Sequence, residues 1–174
     1  MVVPITTRRL ALVPLAPETI RVLLAGDRAG AQRIVGLDLP DEFPNEEDLS
    51  GFLPVQLHRM EQSPGRREWM ARLMLANDGK RVVGHCGFHG PPELIGRAEI
   101  GYTVFSGFRG RGFAKEAAQA LVRWAFDQGE REIYASVSPD NAPSLAVVRA
   151  AGFIQVGTQD DEVDGLELVF AVRA

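Results

Sequence analysis

The stretch from Glu99 to Gln128 constrains this chain more than any other. It joins a short apolar strand, EIGYTVF, to an amphipathic helix, FAKEAAQALVRWAFDQ, through the glycine- and arginine-rich turn SGFRGRG. Gly107, Gly110 and Gly112 permit backbone conformations closed to other residues and place no side chain between a ligand and the main chain. A helix beginning near Gly112 leaves its first amides unpaired and brings the positive end of its dipole to the same spot. Phosphate suits such a place, and Arg109 and Arg111 add guanidinium groups whose donor geometry matches phosphate oxygens. The plainer reading is a strand-to-helix connection carrying two solvated arginines. The helix itself has one apolar face, Ala114, Ala117, Leu121, Val122 and Ala125, and one polar face, Glu116, Gln119, Arg123 and Asp127.

Spacing narrows the phosphate reading. A Walker loop ends on Lys-Ser/Thr where Phe113-Ala114 stands, and the dinucleotide fingerprint asks for a small residue where Lys115 sits. The run Arg109-Gly110-Arg111-Gly112-Phe113-Ala114 instead resembles the pyrophosphate signature Gln/Arg-x-x-Gly-x-Gly/Ala of the GNAT acetyltransferases, which bind coenzyme A. The resemblance continues from Glu99 to Phe153, with EIGYTV before the signature and SPDNAPSLAVVRAAGF after it. TTRRLALVPLAPE near the start and VVGHCGFHGPP in the middle are similar to the same branch, that of the ribosomal-protein N-terminal acetyltransferases. Only the stretch around Ala29 to Arg67 lies outside the likeness.

A chain of 174 residues is expected to form one domain, residues 1–174, burying roughly 70% of its unfolded surface. The net charge of −4 argues against sequence-independent nucleic-acid binding, which needs a basic footprint. Cys86 is the one cysteine, so no internal disulfide forms and a reducing compartment follows. With no long apolar run and no basic-plus-apolar leader, neither a membrane span nor an export signal is expected, and the cytoplasm is the default. A monomer or homodimer is compatible with all of this.

The pattern predicts an edge strand over Ile5 to Val13, a helix over Glu18 to Ala25, and a short helix and loop between Asp27 and Phe43. Asn45 with Asp48 three residues later reads as a helix start, and Leu49, Phe52, Leu53, Leu57 and Met60 hold one face of one helix kinked at Pro54 or of two abutting pieces. Strands follow over Trp69 to Leu75 and Arg81 to Phe88, joined by the hairpin Asn77-Asp78-Gly79-Lys80. In the second, Val82, Gly84, Cys86 and Phe88 are expected on one face and Val83, His85 and Gly87 on the other. After the central unit come a strand Glu132 to Val137, a helix with Pro143 near its start, and strands Phe153 to Val156 and Leu166 to Val172. An acidic connection closing on Asp164-Gly165 joins the last two. This order matches the GNAT fold: a mixed α/β sandwich whose central sheet of about six or seven strands is splayed in the middle and flanked by about four helices.

What the resemblance implies is an acetyl-coenzyme A-dependent N-acetyltransferase, with no metal, passing its acetyl group directly to an amine acceptor, a small molecule or a protein N-terminus. Arg109, Gly110, Arg111, Gly112, Phe113 and Ala114 then hold the pyrophosphate. The pantetheine arm lies like an added strand against Tyr102, Thr103 and Val104. Glu99 is the implied base, since a carboxylate in so apolar a strand must be partnered or open to a cleft; pairing with Arg97 or Arg131 is the structural alternative. Asn141 helps anchor the cofactor, although it also reads as a plain helix cap, and Ser144 is the candidate proton donor to the thiolate. Many GNAT enzymes carry a tyrosine farther along that helix, and here its seat falls at Val148. The unrecognised region before Arg67 is where the family contacts its acceptor.

His85 and His89 are alternative bases or structural residues, His89 being nearer the acceptor cleft; His58 reads as a surface residue, and Cys86 as a core thiol. The acidic run Asp160, Asp161, Glu162 and Asp164 either draws in a cationic acceptor or is solvated surface. Deprotonating an α-amine of pKa ~8 at neutral pH costs about 1 kcal/mol, whereas a lysine near ~10.4 costs about 4 to 5, so a weak carboxylate base suits an α-amine or small amine better. The rival class is a non-catalytic coenzyme A or acyl-coenzyme A sensor that uses Glu99 and Ser144 only structurally.

Overall fold

The computed structural model describes residues 2–79, 81–162 and 165–174, so Lys80 of the predicted hairpin and Asp164 of the predicted acidic connection lie outside it. One eight-stranded sheet organises the described residues, in the order β1-β2-β3-β4-β5-β6-β8-β7. Its strands are β1 (Ile5–Thr6), β2 (Leu10–Pro14), β3 (Ala71–Ala76), β4 (Val82–Phe88), β5 (Ala98–Val104), β6 (Glu132–Val137), β7 (Ile154–Asp161) and β8 (Gly165–Arg173). The helices are α1 (Pro17–Leu24), α2 (Arg28–Val35), α3 (Leu53–Gln62), the single turn α4 (Pro92–Ile95), α5 (Phe113–Asp127) and α6 (Ala142–Ala150). This is the mixed α/β fold the sequence implies.

The predicted first strand is a hairpin, which raises the strand number to eight. Thr7 closes it: its amide donates to Leu10 O at 2.8 Å while its hydroxyl accepts from the Leu10 amide at 2.9 Å. Arg8 and Arg9 therefore occupy a turn rather than interrupting an edge strand. β7 runs five residues past its predicted end at Val156, because its ladder with β8 continues to Asp161↔Gly165.

Each face of the sheet has its own core. On one, α5 and α6 contribute Ala117, Leu121, Val122, Ala125 and Val148 to a cluster with Leu10, Met74, Val83, Cys86, Phe88, Ile100 and Ile133. On the other, α1, α2 and α3 bring Ile20, Leu23, Ala31, Leu53 and Met60 against Met70, Leu73 and Val82. The expected alternation in β4 fails at Val82 and Val83. The ladder pairs Met74 with Gly84 but Leu75 with Val82, so Val83 is an extra residue in a bulge. It turns into the α5 side with Cys86, and Val82 turns to the other.

Two local devices shape the α3 side. Asn45 and Asp48 form a reciprocal capping pair, the Asp48 amide donating to Asn45 Oδ1 at 2.8 Å and the Asn45 amide to Asp48 Oδ2 at 3.0 Å. A wide π turn over Asp48–Phe52 then runs into α3 with helical dihedrals at Glu47, Phe52 and Leu53, so the segment is one continuous helix that passes Pro54 just after its bulge. Upstream, Arg28 gathers the loop after α2 by donating to the carbonyls of Leu39, Pro40 and Phe43.

The feature that positions a site is the join between the two halves of the sheet. β5 and β6 run parallel and pair only at Ala98↔Ile133 and Glu99↔Tyr134. Beyond Glu99 they part, while β4 stays paired with β5 to Val104 and β8 with β6 to Val137. Close β4–β5 contact depends on Gly84, where a methyl group would stand 2.2 Å from Thr103 O. Gly84→Ala is expected to cost about 1–3 kcal/mol in denaturant unfolding, whereas Gly107→Ala, with open space around it, should cost far less.

Candidate active site

Three cavities meet where β5 and β6 part. The first, of about 700 Å³, lies on the α5 face between the signature turn and α6. Its walls include Tyr102, Thr103, Val104, Arg109, Gly110, Gly112, Phe113, Ala114, Lys115, Asn141 and Ser144, most of the residues expected to hold coenzyme A. The second, of about 350 Å³, occupies the gap between the strands and is lined by His89, Gly101, Tyr102, Ser136, Asn141 and Ser144. The third, of about 480 Å³, opens on the α3 face among Glu47, Asp48, Phe52, Arg59, His85, His89 and Tyr102. Tyr102 lines all three. The gap is a window through the sheet, and a molecule from each face can meet another in it.

The signature turn is built to face an anion. Gly110 and Gly112 take φ of 72° and 77°, left-handed values at which a side chain is strained. Gly112 is the N-cap of α5 and offers no side chain, so the first amides receive no capping bond from that residue. Around them stand the exposed Arg109, Arg111 and Lys115. Arg109 folds back to donate to Val104 O at 3.0 Å, which ties the turn to the strand that precedes it.

Sequence reasoning missed the clamp beneath this turn. Glu116, on the polar face of α5, accepts from the Thr7 hydroxyl at 2.7 Å, the Arg9 amide at 2.8 Å and Arg9 Nε at 2.6 Å. The Arg9 guanidinium donates onward to Arg111 O at 2.7 Å and lies over the Phe113 ring. The hairpin at the chain's start thus fixes the carbonyl of the signature's central arginine. Burial pushes the Glu116 carboxyl up, but the hydrogen bonds from Thr7 and Arg9 outweigh it and hold the pKa below the usual carboxylate range. The only signal in the sequence was a threonine and an arginine in a stretch that otherwise reads as packing.

Glu99 is buried at 5% exposure. Both its oxygens are engaged: Arg97 pairs with Oε2 at 2.7 Å, and the Ser136 hydroxyl donates to Oε1 at 2.5 Å. Arg97 also reaches Gln159 at 2.8 Å, so the carboxylate belongs to a network spanning β5, β6 and β7.

Asn141 caps α6, accepting from the Ser144 amide at 3.1 Å, and both residues border the cofactor-side cavity and the window. The Tyr102 hydroxyl donates to Ser144 O at 3.3 Å, and burial pushes that phenol up to about 12. Val148, in the tyrosine seat of the resembling enzymes, is fully buried.

His85 and His89 part company. His85 stacks on Phe52 with ring centroids 4.4 Å apart, and its Nε2 lies 3.4 Å from Asp48 Oδ1. His89, beyond the end of β4, borders the window. Among the described residues no cluster of three or more histidine, cysteine or acidic side chains is arranged to hold a metal ion. Cys86 is buried and its thiol is pushed up to about 12 by that burial, as expected of a core residue.

Comparison with known proteins bears on the family and the fold. The acetyltransferase (GNAT) domain family matches residues 9–154. An uncharacterized N-acetyltransferase of Bacillus licheniformis is 35% identical over 89 residues, covering 51% of this chain and 50% of that protein. The chain thus spans about half the length of that relative. The crystal structure of an acetyltransferase from Agrobacterium tumefaciens superposes with a TM-score of 0.67 at 28% identity, covering 100% of this chain and 96% of that one. A ribosomal L7/L12 α-N-protein acetyltransferase, solved in complex with coenzyme A, has the same TM-score of 0.67 at 18% identity over 98% of this chain and 97% of its own, a likeness of fold.

A carboxylate held below its ordinary value of 4.5 stabilises the fold above that pH, and the contribution fades as pH falls through its folded value. Thermal unfolding should therefore show a stability loss below about pH 4.5 that is smaller in Glu116→Gln. Glu116→Ala should also weaken coenzyme A binding in calorimetry, because the Arg9 to Arg111 tie loosens.

Proposed function

The chain belongs to the GNAT acetyltransferase family, and from that premise we propose that it moves the acetyl group of acetyl-coenzyme A to a primary amine, by direct attack in a ternary complex. One observation carries this reading: two clefts on opposite faces of the sheet open into one window at Tyr102. Support also comes from the structural neighbour that holds coenzyme A.

Acetyl-coenzyme A supplies an activated thioester. The uncapped amides of α5, with Arg109, Arg111 and Lys115, hold its pyrophosphate. The edge of β5 over Tyr102 to Val104, freed where β6 departs, offers main-chain groups to the pantetheine arm as if to another strand. That arrangement brings the thioester to Tyr102 and Ser144. Ser144 and the protonated Tyr102 hydroxyl are the chain's own donors beside the sulfur.

The acceptor enters from the α3 face. Among the described lining residues, Glu47, Asp48 and Asp161 stand against one arginine, Arg59, so the field of the cleft favours an ammonium group. Phe52 and Val55 give it an apolar wall. Small amines and protein N-termini both fit this chemistry. Glu99 contributes a fixed negative charge beside the window, favouring the positive charge that forms on nitrogen as it attacks. Cys86, buried with a raised pKa, gives a covalent acetyl-enzyme no seat, which leaves direct transfer.

The test is release of free thiol from acetyl-coenzyme A with peptide N-termini, polyamines and aminoglycosides as acceptors. Turnover with at least one is expected. Tight coenzyme A binding without turnover of any would favour a sensor instead. Arg111→Ala should raise KM for acetyl-coenzyme A roughly tenfold or more with little change in kcat, as loss of a charge-assisted contact made equally in ground and transition states.

A further inference from the structure

Resting on the acyl-transfer reading, we propose that His89 is the catalytic base, its imidazole taking the proton from the acceptor nitrogen in the window between β5 and β6. His89 lines both the window and the acceptor-side cleft, in company with Gly101 and Tyr102. Its ring lies over Gly101, where a methyl group would stand 3.1 Å from Nε2, so the missing side chain is what makes room for it.

The backbone of His89 is held from two sides. Its amide donates to Glu99 O at 2.9 Å, and its carbonyl accepts from Arg59 at 2.5 Å. Of the other titratable groups, Glu167 lines the window but not the acceptor-side cleft, and Tyr102 holds its phenol proton with a pKa pushed up to about 12. Glu99, bonded to Arg97 and Ser136, lines neither, and His85 is packed on Phe52 beside Asp48.

The charges facing His89 are Arg59 of α3, Arg97 just before β5, Glu99 of β5 and Asp161 of β7, and Glu167 of β8 lines the same window. Burial pushes its pKa below the usual 6.5; the two arginines press the same way and the two acids oppose them. The ring is therefore neutral at pH 7 and has a lone pair to offer. In the step itself the amine nitrogen forms a bond to the thioester carbonyl carbon as the C–S bond breaks, and the electron pair leaves on sulfur. The proton shed by nitrogen moves to His89. The imidazolium then returns a proton, through water in the window, to the thiolate at Ser144 and Tyr102. An acceptor that arrives as an ammonium first gives its extra proton to His89, which passes it to water; the neutral nitrogen then loses one proton, sulfur gains one, and His89 ends neutral.

The experiment compares wild type, H89Q, H89A, E99Q and the surface control H58Q, using tri-alanine, spermidine and hydroxylamine as acceptors, with coenzyme A affinity measured in parallel. H89Q should lower kcat/KM by roughly 10²- to 10⁴-fold with whichever of tri-alanine or spermidine the wild type uses. The loss should be smaller with hydroxylamine, whose nitrogen is already unprotonated at neutral pH. Coenzyme A affinity should hold, added imidazole should restore part of the H89A rate, and H58Q should match wild type. Because the neutral ring is the active form, wild-type kcat/KM should fall as pH drops through a value below 6.5, and H89Q should lack that limb. Retention of both rate and limb in H89Q, disappearance of the limb in E99Q instead, failure of imidazole rescue, or loss of coenzyme A binding in H89Q would each overturn the assignment. A wild type that binds coenzyme A yet turns over none of the three acceptors would overturn the acyl-transfer reading itself, before any variant is compared.

Discussion

Two paired positions hold β5 to β6, and everything functional in this molecule follows from the strands parting after them. A strand edge without a neighbour leaves main-chain donors and acceptors unsatisfied, and these must find water or a ligand. Here the exposed edge lies at the wall of a cleft rather than at the rim of the sheet, because β8 covers the far side of β6 and β4 the far side of β5. The parting is thus both a hole through the sheet and a template for an extended ligand. A sheet fully paired at this point would keep its two faces apart, and a cofactor on one could not meet an acceptor on the other.

Fixed groups around the hole give each face its character. On the α5 side the chain presents glycine backbone, uncapped amides and arginines, and fixes their placement through a hairpin about a hundred residues earlier in sequence, by way of Glu116. The α3 side has acids and aromatic rings set by the Asn45–Asp48 capping pair and the turn that follows it. Between them runs the network of Arg97, Glu99, Ser136 and Gln159, a set of charges and dipoles with little freedom to reorient. Rigid polar groups of this kind stabilise charge as it develops without reorganising first.

Much of the cofactor side was legible in the sequence because its signals are local. Three glycines, two arginines and an apolar stripe within thirty residues specify a strand, a turn and a helix start, and α5 buries Ala117, Leu121, Val122 and Ala125 as its spacing demands. The Asn45–Asp48 start and the strand Glu132–Val137 were legible for the same reason. What escaped depends on contacts between distant segments. Nothing near Arg9 says that it will hold Arg111, and nothing in β4 announces the bulge that turns Val83 away from its expected face. Glu99 stood out as a lone acid in an apolar strand with Arg97 as a candidate partner, and that pairing forms, but Ser136 of β6 and Gln159 of β7 join it from distant segments. His89 was expected nearer the acceptor cleft than His85, but the seat of its ring over Gly101 at the window depends on the parting of distant strands.

The central claim is that the tip of α5 and its arginines grip paired phosphates. Calorimetric titration of the intact protein with coenzyme A and, separately, with pantetheine tests it most directly, since the two share the thiol arm and differ in the pyrophosphate and nucleotide. Coenzyme A should bind with an affinity that falls as salt is raised, and pantetheine should bind far more weakly. Equal affinities for the two, or no heat with coenzyme A on folded protein, would contradict the claim.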